Sequence, residues 1–209
     1  MIPSIQSKML FASAFLFFFF PRAICAAEFS VDTTSILPAT VKAKLKGSLK
    51  GKFAFTDRVG PHFLVLTRQA ITLANGTDKV SIQASQFLLS GSIWKQEWVI
   101  NDNLSCQGLD LEADFIYSLT TFSDIDSNGL AESTVAYHLS CEGGIEPKPT
   151  KAILRQGTAK YAVRGESLIK IEGAASYGGT FTADSSLEAK PAIKQFLISI
   201  WKKAAGVGS

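Results

Sequence analysis

Residues 71–90 read "ITLANGTDKVSIQASQFLLS", and this stretch sets the architecture. Asn75-Gly76 stands between two runs rich in β-branched and apolar residues, and Asn-Gly in that setting is the strongest short-range hairpin signal, because both residue types tolerate positive φ. Neighbouring segments read the same way. Upstream, "LKGKFAFTDRVGPHFLVLTRQ" alternates Phe53 and Phe55 with small or polar residues, breaks at residues 57–61, and resumes with Phe63, Val65 and Thr67, which predicts a second hairpin. Downstream, "SIWKQEWVI" carries Trp94, Trp98 and Ile100 in strand spacing, and "ADFIYSLTTF", "STVAYHLSC", "KAILRQG" and "KYAVRGE" add further strands, the last two joined by a short turn at Gly157 and Thr158. The body is predicted to be an antiparallel meander.

The period changes at the C-terminus. Ile193, Phe196, Leu197, Ile200 and Trp201 fall on one stripe of an amphipathic helix, with Pro191 near its start and Lys202 and Lys203 in its last turn. Its polar face is not strongly basic, so the stripe predicts a helix that packs on the sheet rather than on a membrane surface. The expected fold is therefore mainly β, of α+β class: a single antiparallel meander or sandwich-like domain over residues 28–209, closed by a C-terminal amphipathic helix. No internal repeat and no linker suggests a second domain.

The N-terminus, "MIPSIQSKMLFASAFLFFFFPRAICAAEFS", has a short segment carrying Lys8, an apolar run over residues 9–20, then Pro21 and small residues. That is the pattern of a secretory signal peptide over residues 1–27, cleaved after Ala27 or one residue earlier. The run is shorter than the roughly 20 apolar residues a spanning helix needs, so an uncleaved anchor is the alternative reading and no transmembrane segment is expected after cleavage. Export to the periplasm or the cell surface follows. Removing the leader takes Cys25 away and leaves Cys106 and Cys141, an even pair that predicts one disulfide in an oxidising compartment, the alternative being two unpaired thiols. It also removes Lys8 and Arg22 and no acidic residue, lowering the formal charge from +3 to +1. A near-neutral chain is not expected to bind nucleic acid.

The segment with the sharpest chemistry is "SDIDSNGLAES", residues 123–133. A calcium ion takes about six to eight oxygen ligands, which a chain supplies by curling so that alternate side chains point inward. Asp124, Asp126 and Asn128 occupy those alternate positions, Gly129 permits the turn, Leu130 offers its carbonyl, and Glu132 closes the set. The spacing departs from a helix-loop-helix calcium hand, which needs Glu at position twelve where Val135 stands, and resembles the short calcium loops found between strands of integrin-type β-repeat proteins. The alternative is an Asx-rich hairpin turn whose carboxylates cap backbone donors and bind nothing.

The order of motifs around this loop resembles a family of exported bacterial proteins named for surface-polysaccharide biosynthesis. The matching residues are a strand Trp (Trp98), Cys106, the acidic loop (Asp124, Asp126, Gly129, Glu132), a tyrosine strand ending in a second Cys (Tyr137, Cys141), then Pro147, Lys151 and a "KYAxRGE" strand (Lys160, Tyr161, Arg164, Gly165, Glu166). Asn128 replaces a third Asp, and "EGGIEPKP" replaces a more acidic segment. The resemblance covers the C-terminal half of the chain and implies association with an envelope glycan or an assembly protein, with little defined chemistry.

Other constellations read as structural. His62 and His138 lie in separate strands without metal-ligand spacing, no serine sits in a GxSxG elbow, and Asp110, Glu112 and Asp114 fall on one face of a strand as a solvated edge. Trp94, Trp98, Tyr137 and Tyr161 are candidates for stacking on sugar rings, with burial in the sheet core as the competing reading. Two functions from different classes follow: a non-enzymatic exported binding or accessory factor for surface polysaccharide with a calcium loop, or a periplasmic carbohydrate-active enzyme using carboxylates near that loop.

Overall fold

The computed structural model describes residues 27–208; the segment read as a signal peptide lies outside these residues, except that Ala27 opens the first strand. In chain order the strands are β1 (Ala27–Glu28), β2 (Val31–Asp32), β3 (Ser48–Asp57), β4 (Gly60–Thr72), β5 (Thr77–Ser90), β6 (Ile93–Gln107), β7 (Asp110–Phe115), β8 (Thr121–Asp124), β9 (Glu132–Glu142), β10 (Pro149–Gln156), β11 (Ala159–Glu166), β12 (Leu168–Ile169), β13 (Tyr177–Gly178) and β14 (Phe181–Ala183). A short helix α1 (Ala39–Lys42) precedes β3, and helix α2 (Pro191–Ala204) closes the described chain. None of the described helices is long and apolar enough to cross a membrane.

Strands β2 to β6 form one meander in sequence order. The β4–β5 connection spans residues 73–76, where Gly76 takes φ 77° and Leu73 N–H bonds Thr77 O, so the Asn-Gly signal marks a four-residue turn. The second sheet runs β1-β8-β9-β10-β11-β14, with β7 also paired to β9, so β7 and β8 share one side of β9. A two-stranded ribbon, β12 with β13, stands apart.

Alternation assigns the layers. One face of each sheet contributes to a common core in which Phe55, Leu64, Leu66, Ile82, Trp98 and Ile100 meet Phe115, Phe122, Val135, Tyr137 and Ile153. The outer face of the first sheet carries Phe63, Val65 and Phe87, covered by Leu37 and by Val41 of α1. The outer face of the second carries Ala136, Ala152, Leu154 and Val163, covered by the stripe Ile193, Leu197, Ile200 and Trp201 of α2. The molecule is thus a β-sandwich with a helix on each outside face. Trp201 explains the glycine of "RGE": a Cβ on Gly165 would lie 2.7 Å from its ring and 2.0 Å from Thr180 O, and the indole N–H donates to Thr150 O at 3.0 Å.

Cys106 on β6 and Cys141 on β9 are joined in a disulfide that ties the two sheets together, their Cα atoms 5.6 Å apart. Closing a loop of 35 residues stabilises the fold by about 4 kcal/mol in the chain-entropy account. That loop contains the acidic segment.

Candidate metal centre

The acidic segment is the connection between β8 and β9. Asp124 ends β8 and Glu132 begins β9, and the two strands are in register with Ser123 opposite Glu132. Tight curling forces two left-handed residues, Ser127 (φ 56°) and Gly129 (φ 78°). A Cβ on Gly129 would lie 3.3 Å from the Cβ and Cδ of Arg58, so a side chain there would combine a strained φ with a contact that Arg58 must shift to relieve.

Asp124 holds the curl from inside: one carboxylate oxygen accepts Asn128 N–H at 2.9 Å and the other accepts Gly129 N–H at 3.0 Å. The Asn128 side-chain oxygen accepts Leu130 N–H at 2.8 Å. Glu132 is fully buried on the α2 side of the sheet and accepts Ile125 N–H at 2.6 Å. Oxygens of Asp124, Asp126 and Glu132 all lie within 4.8 Å of one another, an arrangement that can hold a metal ion. Burial, followed by repulsion from Asp126 and Asp124, pushes the Glu132 carboxyl up to about 7.

Two side chains from elsewhere enter this cluster. Gln156, the last residue of β10, places its amide nitrogen against Glu132 and 3.3 Å from both Asp126 oxygens. Lys190, just before α2, has its ammonium 3.9 Å from Asp126. Neither was legible as a site residue, because β10 and α2 reach the loop only through tertiary pairing. The one local hint is that Gln156 ends a strand directly before the Gly157 turn.

A second polar cluster lies between the sheets. His62 is 2% exposed, and its two ring nitrogens meet Asp57 at 2.9 Å and Glu97 at 3.0 Å. Glu97 gets there through a bulge: Gln86 pairs with Trp98 and Phe87 with Gln96, leaving Glu97 as the extra residue of β6. Gln86 donates to Glu97 at 2.9 Å and accepts from Ser133 at 2.6 Å, Asp57 accepts Ala131 N–H at 3.0 Å, and the Phe55 ring stacks on His62 with centroids 4.8 Å apart. Burial opposes charge on the imidazole, but its bonds to Glu97 and Asp57 and their attraction outweigh it and raise its pKa. Burial likewise opposes charge on both carboxylates, and hydrogen bonds and the His62 charge hold them below their usual values.

Trp98 and Tyr137 belong to the core between the sheets, at 4% and 1% exposed. Tyr161 packs on the α2 side, and Trp94 is half-buried against Phe63, with ring centroids 5.1 Å apart, beside a groove of about 460 Å³ also lined by Asp32 and Phe55. His138 bonds Thr150 at 2.9 Å, Glu112 pairs with Lys148, and Asp114 caps Phe115 N–H at 2.8 Å and accepts from Tyr117 at 3.0 Å. Comparison with protein-family models, with curated proteins and with solved structures finds no match.

Proposed function

We propose that this chain is an exported, non-enzymatic protein of the cell envelope that binds surface polysaccharide or serves its assembly, and that its β8–β9 loop holds a calcium ion. The observation that carries the calcium reading is the convergence of three carboxylates, one of them fully buried, with a single ammonium 3.9 Å away. Like charges packed this closely favour either a retained proton or a bound cation. The donors are all oxygen, which suits a hard ion, and a flexible curl suits calcium better than magnesium, whose octahedral shell at 2.0–2.1 Å is more demanding. Asp124 caps two N–H groups and still has free lone pairs, since a carboxylate has about four acceptor positions. Rotating the Gln156 amide by half a turn replaces its nitrogen with an oxygen among the carboxylates and adds a ligand from β10.

Export is supported by the leader pattern, by the disulfide and by the motif resemblance. The binding role is favoured over catalysis because the loop carboxylates serve as backbone caps, Asp124 accepting Asn128 and Gly129 N–H and Glu132 accepting Ile125 N–H, while His62 is held by Asp57 and Glu97 as a clamp between strands. The test is a thermal melt of the disulfide-bonded exported protein in millimolar calcium against chelator. With a dissociation constant of about 10⁻⁴ to 10⁻³ M, as for extracellular modules, 5 mM calcium should add about 1–2 kcal/mol, and magnesium less. Asp126→Ala should abolish the shift. An unchanged wild-type melt, or the same shift in Asp126→Ala, would leave the loop as a polar turn.

A further inference from the structure

Strands β10 and β11 carry a second feature, on the face of the sheet away from α2. Lys151 lies opposite Arg164 and Arg155 opposite Lys160, while Ile153 opposite Ala162 sits between the pairs and belongs to the inter-sheet core. Directly opposed residues of an antiparallel pair share a face, so all four cations stand on the core side of β10 and β11. Cross-strand neighbours are about 5 Å apart, and the four-residue steps along each strand span about 13 Å. The facing sheet ends at β6, whose Trp98 and Asp102 reach this row: the Arg155 guanidinium lies over the Trp98 ring at 5.4 Å, and Lys151 pairs with Asp102. Asp184 takes Arg164. Among the described residues, Arg155 and Lys160 have no carboxylate partner.

Two buried donors meet no acceptor here, Arg155 Nε and the indole Nε1 of Trp98, on a tryptophan 4% exposed. Buried N–H groups are almost always paired, and an unpaired one destabilises the fold by about 1–3 kcal/mol unless water or a ligand supplies the acceptor. Burial alone lowers the Arg155 pKa, with no anion to offset it. Acceptor oxygens carrying negative charge are what the place lacks.

We infer that the β10–β11 face beside β6 binds an acidic polysaccharide, its uronate carboxylates received by Arg155 and Lys160 above the buried Trp98 ring; this rests on the glycan-binding reading above. A planar carboxylate matches the guanidinium fork with two parallel hydrogen bonds. Base stacking on a single-stranded nucleic acid needs open aromatic faces, whereas Trp98 and Tyr137 lie buried beneath the cations. A chain crossing the two strands meets Arg155 and Lys160 side by side, while Lys151 and Arg164, each already held by a carboxylate, lie further along, and the contacts are screened by salt.

The experiment is a titration of the exported protein with polygalacturonate oligomers in chelator, which removes the calcium loop from the outcome, read by affinity and by the indole N–H resonance of Trp98, assigned with Trp98→Phe. Expected are binding that weakens about tenfold from 50 to 300 mM salt, a shift of that indole resonance, an affinity loss of about three- to tenfold in Lys160→Glu, whose site is exposed, and a larger loss in Arg155→Gln. Dextran, poly-L-glutamate and single-stranded DNA run beside it. Dextran binding without polygalacturonate binding overturns the acidic-face inference and leaves the glycan reading standing. Failure of both glycans overturns both. Equal binding of poly-L-glutamate or DNA, or unchanged binding in Lys160→Glu, overturns the inference by showing unselective charge attraction or a different face.

Discussion

Two carboxylate clusters border the residues 131–133, and they solve the same electrostatic problem in opposite ways. Between the sheets, Asp57 and Glu97 flank His62, so the negative groups are separated by a proton carrier that both of them hold. On the α2 side, Asp124, Asp126 and Glu132 face each other, with an amide from Gln156 and a distant ammonium from Lys190 among them. The first cluster carries its own counter-charge. The second depends on pH or on an added cation, which is why the same residue type serves as a structural clamp on one face of β9 and as a candidate binding site on the other.

The largest effect should come from removing the internal cation. His62→Ala leaves Asp57, with 5% of its side chain exposed, and Glu97 at 21% without their shared partner, and breaking a buried pair costs about 3–5 kcal/mol. Adding Asp57→Asn and Glu97→Gln to that variant should recover a large part of the loss in urea unfolding, because neutral groups no longer need a cation. No recovery would mean that the loss comes from the lost Phe55 stack and the space left behind. The wild-type network also has a defined pH window. The His62 contribution is full below its unfolded value of 6.5 and is lost as pH rises through its raised folded value, while those of Asp57 and Glu97 are present above 3.8 and 4.5 and are lost as pH falls through their lowered values.

The contrast between the clusters follows what the sequence makes legible. Alternation of Phe53, Phe55, Phe63 and Val65, the Asn-Gly turn and the α2 stripe are local patterns, and each appears in the structure as the strand, turn or helix it predicts. The acidic loop is local too, with Asp124 to Glu132 inside nine residues, so its carboxylates group in the sequence alone. His62 could not: Asp57 ends β3, Gln86 lies on β5 and Glu97 is the bulge residue of β6, and strand pairing brings them together. Gln156 and the Arg155–Trp98 contact escaped for the same reason. For Trp98 and Tyr137 the presence of an aromatic in a strand leaves sugar stacking and core burial both open, and the face that meets the opposing sheet settles them as core.

The intermediate effect tests the open cluster. In chelator, Glu132 has a folded pKa of about 7 against 4.5 unfolded, so its folded form holds the proton more tightly. Its contribution is full below 4.5 and declines as pH rises to about 7, by up to about 3 kcal/mol at 1.36 kcal/mol per unit. Glu132→Gln should remove that slope in chelator melts between pH 5 and 8, leaving the part due to His62. Saturating calcium should flatten it in the wild type, since the ion favours the ionised carboxylate. A slope unchanged in Glu132→Gln would assign the pH dependence to the His62 cluster alone, and the comparison would fail.

The smallest effect separates the curl from its charge. Ser127 is the single non-glycine residue with positive φ among the described residues, and a left-handed conformation costs a side chain about 1–2 kcal/mol. Glycine removes that strain but adds freedom to the unfolded chain, worth about 0.4–1 kcal/mol in the other direction. Ser127→Gly should therefore stabilise by about 0.5 kcal/mol, whereas Gly129→Ala, at φ 78° and 3.3 Å from Arg58, should destabilise. If the Asp124 caps fix the curl, the Ser127→Gly gain is equal in chelator and in calcium, and the ion fills a loop already shaped for it. A gain present only in chelator would mean that calcium reshapes the backbone at Ser127, so that the open cluster is built by its ligand and the His62 cluster by its own residues.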